Sequence, residues 1–251
     1  MGSHFREKLY DPGSRLVGMF VKFPTLETIE ILASVGCDFI IIDMEHAPLS
    51  TDIVYGMIAM AERSDMAALV RLRGHDTATA NMFMDAGASG VLVPHCSPYR
   101  VAKQLIGDMV FPPKGRRGAG GGGRATRWGV DGPDEYRRGG DSGVARVPMI
   151  EDPEAVEDID NILAVDGVDA AFIGQGDLTQ TLGNRQQAQS LVDTALAACV
   201  ARGIPAATTA YGDDVATRFQ QGFKWLAIAN DTGTFTRAVQ ERLEQARVAS
   251  R

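Results

Sequence analysis

Eight short apolar runs, each followed by a segment carrying helix signals, constrain the fold of this 251-residue chain more than any other feature. The runs cover residues 16–20, 39–43, 68–71, 90–94, 145–150, 170–173, 205–208 and 224–229. Phe39-Ile40-Ile41-Ile42 has no polar alternation, which marks a strand covered on both faces, as in parallel sheets. Between the runs, Thr25, Ser50, Asp76 and Ser97 stand where helix N-caps belong, and Gly36 and Gly87 where helices stop. The spacing predicts helices over 25–35, 51–63, 77–86, 97–111, 153–163, 186–202, 213–221 and 231–248, with a helical turn from Asp177. Eight alternations in this length predict one domain over 1–251, a (β/α)8 TIM barrel. A doubly wound open sheet is the competitor, but no Gly-x-Gly-x-x-Gly follows the first run.

The rhythm breaks once. Residues 114–143 hold 11 glycines, four of them consecutive (Gly120 to Gly123), among Lys114, Arg116, Arg117, Arg124, Arg127, Arg137 and Arg138. A structureless insertion of this length is either functional or disordered. The run lacks the Lys-Ser/Thr ending of a phosphate-binding loop. Trp128 and the arginines around it fit a solvated flap or a lid over an acceptor substrate.

A net charge of -7 argues against nucleic acid or an anionic membrane as partner. No apolar run approaches the roughly 18 residues that span a bilayer, and the N-terminus has no basic-then-apolar signal pattern, so a cytoplasmic location is expected. Cys37, Cys96 and Cys199 are odd in number and far apart, which suits reduced thiols rather than a disulfide framework.

Barrel enzymes carry their chemistry at the carboxyl ends of the strands. Those positions here offer Asp43-Met44-Glu45-His46, Arg71, His95, Glu151 and Asp177. Glu151 and Asp177 follow neighbouring runs and flank a glycine-rich turn, a setting for a hard divalent cation that also needs room for substrate oxygens. Both acids could equally cap the helices that follow. His46 lies three residues from Asp43, so an acid is at hand to orient its ring. Arg71 either faces substrate or pairs with an acid in the barrel mouth; Arg73 is its rival but falls past the strand end, and His75 and His95 read as polar loop residues with substrate contact as the second reading.

At these residues the chain resembles the HpcH/HpaI aldolases, the metal-dependent class II pyruvate aldolases related to 4-hydroxy-2-oxoheptanedioate aldolase. The resemblance runs from about Val17 to Asp231 and is carried by Ile42-Asp43-Met44-Glu45-His46-Ala47-Pro48, Leu69-Val70-Arg71, Asp85-Ala86-Gly87-Ala88, Val93-Pro94, the stretch from Phe111 to Gly118, Ile150-Glu151, and Phe172-Ile173-Gly174 with Asp177-Leu178. It implies a barrel of the phosphoenolpyruvate/pyruvate type. Glu151 and Asp177 would then hold Mg2+, Mn2+ or Co2+, Arg71 would face the keto and enolate oxygens, and His46, oriented by Asp43, would handle protons through water. Backbone N–H groups around Gly174, Gln175 and Gly176 would hold the substrate carboxylate. The chain departs from many relatives at Met149, where they carry Gln, and at Gln175-Gly176, where they read Pro-Ala.

The activity so implied is reversible cleavage of a 4-hydroxy-2-oxo acid to pyruvate or hydroxypyruvate and an aldehyde, through a metal-stabilised enolate. The resemblance also implies a homo-oligomer, a hexamer built as a trimer of dimers, with the last helix on a neighbour. Decarboxylation of oxaloacetate or another β-keto acid at the same site is the alternative, and a non-catalytic barrel a third reading. A Schiff-base aldolase would need a desolvated lysine near the barrel centre, and of the five lysines only Lys22 is suitably placed.

Overall fold

Period-two alternation along each strand decides which side chains meet inside the sheet. The structure, a computed structural model, describes residues 4–249. Strands β1 (Leu16–Val21), β2 (Phe39–Asp43), β3 (Ala67–Arg71), β4 (Gly90–Val93), β5 (Ala145–Ile150), β6 (Ala171–Ile173), β7 (Ala206–Thr209) and β8 (Trp225–Asn230) close into a barrel in chain order. Every neighbouring pair is parallel, including the closing pair of β1 and β8. The fold is a (β/α)8 TIM barrel.

Ile40, Ile42, Ala68 and Val70 turn outward against the helices, in one cluster with residues such as Ile29, Met57 and Phe83. Phe39, Ile41, Ala67, Leu69, Leu92, Val147, Met149, Phe172, Ala207 and Trp225 turn inward and fill the lumen. Met149 is therefore a lumen side chain, 2% exposed. Gly18 is small for a steric reason: a Cβ there would lie 2.1 Å from the Phe39 carbonyl oxygen.

The outer helices begin with α1 (Phe5–Tyr10), α2 (Leu26–Ser34), α3 (Thr51–Arg63), α4 (Thr77–Asp85) and α5 (Tyr99–Gly107). After them come α6 (Pro133–Ser142), α7 (Pro153–Glu157), α8 (Ile159–Leu163), α9 (Gln175–Leu182), α10 (Arg185–Arg202), α11 (Asp214–Gln221) and α12 (Asp231–Ala249). The side chains of Thr25, Ser50 and Asp76 cap α2, α3 and α4 as expected, but Ser97 does not cap α5, which starts after Pro98; the Ser97 hydroxyl donates to Asp152 at 3.3 Å instead.

Three further features differ from the sequence reading. The helix expected over 153–163 is broken into α7 and α8 at Asp158, whose carboxylate is engaged by the Tyr99 N–H at 2.8 Å and by Asn161 at 2.6 Å. The segment 114–143 is not structureless: it holds a 3-10 turn over Arg124–Thr126 and helix α6. Arg117 pairs with Asp85 at 2.6 Å, Arg124 pairs with Glu62, and the Tyr136 hydroxyl bonds Asp85. Glu62 and Asp85 close α3 and α4 at the amino-terminal face of the barrel. An α-to-β connection belongs on that face, so within its own chain the segment cannot lie over the carboxyl rim as a lid.

The third feature is α1, a helix too short to show a period. Phe5 and Leu9 are each 1% exposed and close the amino-terminal mouth of the lumen. The Phe5 ring packs edge-on against Trp225 at 5.6 Å and tilted against Phe39 at 5.8 Å. Outside the mouth, Arg6 bonds Asp169 at 2.7 Å and the Tyr10 hydroxyl donates to the Asp169 carbonyl at 2.9 Å. Because the plug removes a full aromatic from water, Phe5→Ala is expected to lower unfolding stability by about 3–5 kcal/mol in urea titration. A loss below about 1 kcal/mol would mean that α1 is not part of the core.

Candidate active site at the carboxyl rim

The inward alternation that fills the lumen also selects the rim. Two residues beyond Phe20, Ile41, Leu69, Met149 and Phe172, which all face inward, stand Lys22, Asp43, Arg71, Glu151 and Gly174. Register places Asp43 directly beside Arg71 across β2 and β3. Five strands thus deliver polar or side-chain-free positions to one opening.

A continuous run of charged contacts crosses that opening. Lys22 Nζ lies 3.4 Å from Asp43. Arg71 grips Asp43 with both arms, Nε to Oδ1 at 3.0 Å and Nη2 to Oδ2 at 2.7 Å. Its remaining arm, Nη1, lies 3.0 Å from Glu45 Oε2. His95 continues the run, with Nε2 3.8 Å from Glu45 and Nδ1 3.6 Å from Glu151. Asp177 acts on Glu151 through its charge.

Asp43 is fully buried and Arg71 is 7% exposed. Burial alone would raise the Asp43 pKa, but the Arg71 hydrogen bonds and charge, the His46 N–H and Lys22 outweigh it and hold the carboxyl below its ordinary value. The Arg71 guanidinium rests over the Phe20 ring at 4.9 Å, which fixes its plane.

Glu151 has the opposite balance. Burial raises its pKa to about 7, and the Asp177 and Glu45 charges add to the rise. The His95 main-chain N–H, at 2.8 Å from Oε1, and the His95 ring work against it. Burial lowers the His95 pKa, but the surrounding Glu151, Asp152 and Glu45 carboxylates push it above its usual value. His95 sits in the left-handed region at φ 50°, which turns its N–H toward Glu151.

Gly174 makes room for this acid. A Cβ there would lie 2.7 Å from the Glu151 Cβ and 3.1 Å from its Oε2. The Gly174 N–H is taken by the Ile150 carbonyl at 3.0 Å. Helix α9 starts at the next residue, so the Gln175, Gly176 and Asp177 N–H groups occupy its first turn, where intrahelical partners are absent. The Gln175 side chain turns away from the rim: its Oε1 accepts from Arg218 at 2.7 Å and its Nε2 donates to Gln189 at 3.0 Å.

His46 is placed differently from the sequence expectation. Asp43 Oδ1 accepts from the main-chain N–H of Glu45 and of His46, each at 3.2 Å, and does not touch the His46 ring. The ring lies 3.7 Å from Glu45 and is 56% exposed, beside an open pocket lined by Met44, Glu45, Ala47, Pro48 and Arg73. Both carboxylate oxygens of Asp43 are occupied by Arg71, so Glu45 is the ring's acidic neighbour. Sequence reasoning assigned Glu45 no role and treated His95 as a loop residue. An acid one position from a histidine, just past a strand end, was the available signal for the first; the second depends on an unforeseen backbone turn.

A closed parallel barrel with an arginine clamped by acids, and two further carboxylates at the same carboxyl rim, belongs to the enzyme class of (β/α)8 barrels. The chain belongs to the HpcH/HpaI aldolase/citrate lyase family, whose profile matches residues 16–238. A Novosphingobium aromaticivorans protein named 4-hydroxy-2-oxovalerate aldolase is 33% identical over 91% of this chain and 89% of its own. A Chromohalobacter salexigens hydroxypyruvate/pyruvate aldolase is 30% identical over 93% of this chain and 94% of its own. Among solved structures, an HpcH/HpaI aldolase/citrate lyase family protein from Burkholderia cenocepacia superposes with a TM-score of 0.88 at 26% identity, covering 98% of this chain and 99% of that one.

The Glu151 environment has a thermodynamic consequence. The folded pKa near 7 exceeds the ordinary 4.5, so the native state keeps a proton that the unfolded chain sheds as pH rises between those values. Stability from this group is present below pH 4.5 and lost on the way to pH 7. Metal-free Glu151→Gln is therefore expected to gain about 3 kcal/mol over the parent at pH 8, with no gain at pH 4.5, in paired urea titrations. Equal stability at both pH values would contradict the burial argument.

Proposed function

We propose that this chain is a metal-dependent class II aldolase that reversibly cleaves a 4-hydroxy-2-oxo acid into pyruvate, or hydroxypyruvate, and an aldehyde. The observation that carries this reading is the continuous run of contacts from Lys22 through Asp43, Arg71, Glu45 and His95 to Glu151 around one rim, with Asp177 near enough for its charge to act on Glu151. The aldolase names of two relatives that span nine-tenths of the chain support it.

Glu151 and Asp177 are the residues that would hold a divalent ion, Mg2+, Mn2+ or Co2+. They offer hard oxygen donors, and Gly174 clears the space beside Glu151 that a side chain would fill. Among the described residues no group of three or more His, Cys, Asp or Glu forms a metal cage. A two-carboxylate site suits a substrate that brings its own carboxylate and keto oxygens. When bound, the cation supplies Lewis-acid stabilisation of the substrate oxygen that gains charge as the C3–C4 bond breaks.

The protein side chains account for the remaining chemistry. Arg71 is a second fixed positive charge for the same C2 oxygen; its plane is already set by Asp43, Glu45 and Phe20, so it need not reorganise as charge develops. The free first-turn N–H groups of Gln175, Gly176 and Asp177 bind the substrate carboxylate. His46, exposed and next to Glu45, takes the proton of the C4 hydroxyl through water as the C3–C4 bond breaks and passes it to C3 of the enolate to release pyruvate; the same transfers run in reverse during synthesis.

The assembly proposed for this chain is a homo-oligomer, a hexamer arranged as a trimer of dimers. Along α12, Phe235, Val239 and Leu243 recur every fourth residue and are 62%, 39% and 49% exposed, an apolar stripe that a neighbouring copy would cover. The three free cysteines fit a reducing cytoplasm.

The test is cleavage of 4-hydroxy-2-oxo acids by metal-reconstituted protein, with oxaloacetate decarboxylation assayed alongside. EDTA, Glu151→Ala and Asp177→Ala should each abolish turnover, and Arg71→Ala should lower kcat by about 10²–10³-fold, the usual cost of one oxyanion contact. Borohydride with pyruvate should leave Lys22 unmodified. Full turnover by folded Glu151→Ala, or a trapped lysine adduct, would overturn the assignment. For the assembly, Phe235→Asp with Leu243→Asp should shift light-scattering mass to a smaller species; an unchanged mass would exclude the α12 stripe as the interface.

A further inference from the structure

The start of α9 is held by an arginine that lies outside the charged rim. Arg218, on α11, is 8% exposed, yet among the described residues no carboxylate lies within ion-pair distance of it. Its contacts are neutral amides: Nη2 donates to Gln175 Oε1 at 2.7 Å and to Gln189 Oε1 at 3.3 Å, and Nη1 donates to Gln221 Oε1 at 3.3 Å. Its guanidinium also lies 5.9 Å from the Phe223 ring centroid. A buried cation is expensive without an anion, so a guanidinium spent on three glutamines calls for a reason beyond packing.

The backbone at Gly174-Gln175-Gly176 supplies one. Gly174 is required by the close approach of Glu151, but a Cβ on Gly176 would meet nothing within 4 Å, so no packing demands glycine there. A glycine on either side of Gln175 leaves the first turn of α9 with little intrinsic rigidity. That turn presents the three free N–H groups and Asp177. Gln175 is therefore the handle by which the turn can be held, and Arg218 holds it with a charge-assisted hydrogen bond, while Gln189 on α10 fixes the other end of the same amide. Gln189 is itself held by donating to Asp193 at 2.7 Å.

We propose that Arg218 is a positioning residue for the 2-oxo acid site: acting through Gln175, it sets the first turn of α9 and so the N–H groups that receive the substrate carboxylate. This inference rests on the aldolase reading of the rim. Arg218 touches neither substrate nor metal, so its effect falls on affinity rather than on the bond-breaking step.

The test measures pyruvate binding by calorimetry in the presence of Mn2+, Mn2+ binding by electron paramagnetic resonance, and KM and kcat separately, on Arg218→Met, Arg218→Lys and Gln175→Leu. Arg218→Met and Gln175→Leu should each weaken pyruvate binding and raise KM about tenfold, the size of one charge-assisted hydrogen bond, with kcat little changed. Arg218→Lys, which can still donate to Gln175, should fall between Arg218→Met and the parent. Proline is suited to the first position of a helix and stiffens it independently of any partner, at the loss of the Gln175 N–H, so the comparison is made within that background: adding Arg218→Met to Gln175→Pro should change affinity little relative to Gln175→Pro alone.

Parent-like affinity in Gln175→Leu overturns the proposal, and this variant decides the matter even where Arg218→Met does not fold. An equally large effect of Arg218→Met in the Gln175→Pro background overturns it too, because Arg218 would then act by another route. A parent protein that binds neither Mn2+ nor pyruvate overturns the aldolase reading and this inference together, whereas normal parent binding with unaffected variants removes only the role of Arg218.

Discussion

The bidentate pair between Arg71 and Asp43 is the interaction on which the rim depends. A guanidinium at 7% exposure needs an anion, and Asp43, fully buried one strand away in direct register, provides it with two hydrogen bonds. The pair leaves one arm of Arg71 for Glu45 and leaves Asp43 able to tie down the backbone of the following loop at Glu45 and His46. Removing either partner would strand a buried charge and free that loop. The positive charge over the opening is thus a product of β2 and β3 themselves rather than of a mobile side chain.

The same strands that make the core make the site. Alternation fills the lumen with Phe39, Ile41, Leu69, Val147, Met149, Phe172 and Trp225, and one period beyond Ile41, Leu69, Met149 and Phe172 stand Asp43, Arg71, Glu151 and Gly174, the last without a side chain because Glu151 fills that space. A packed lumen below and a plug of Phe5 and Leu9 beneath it leave little freedom for the rim to sag. The two halves of the rim are electrostatically unlike. Around Asp43 two cations oversupply positive charge and depress the carboxyl pKa; around Glu151 burial, together with the Asp177 and Glu45 charges, outweighs His95, and the pKa rises to about 7. A dication would restore that balance.

Much of this was legible in the sequence, because it depends on local signals. The eight apolar runs place every strand within about a residue or two of its observed bounds, and Thr25, Ser50 and Asp76 cap the helices they were expected to cap. Reading strand ends alone pointed to Asp43, Arg71 and Glu151, which the structure brings to one rim, and to Asp177, whose charge acts on Glu151. What escaped depends on long-range partners. Helix α1 has six residues and no period, and its apolar character is meaningful only against Phe39 and Trp225. The glycine-rich stretch looked structureless because its order comes from Glu62 and Asp85, far back in the chain. Spacing suggested that Asp43 would orient the His46 ring, but spacing could not show that Arg71 would claim both carboxylate oxygens first. The Gln175–Arg218 contact joins residues 43 apart, and no local pattern announces it.

Glu151 and Asp177 together would hold a divalent ion within reach of Arg71. Anomalous diffraction from crystals soaked with Mn2+ and pyruvate tests this most directly. One strong peak beside both carboxylates is expected, with pyruvate next to it and its C2 oxygen toward Arg71. A peak elsewhere in the barrel, or pyruvate bound with no ion between those two acids, would contradict it.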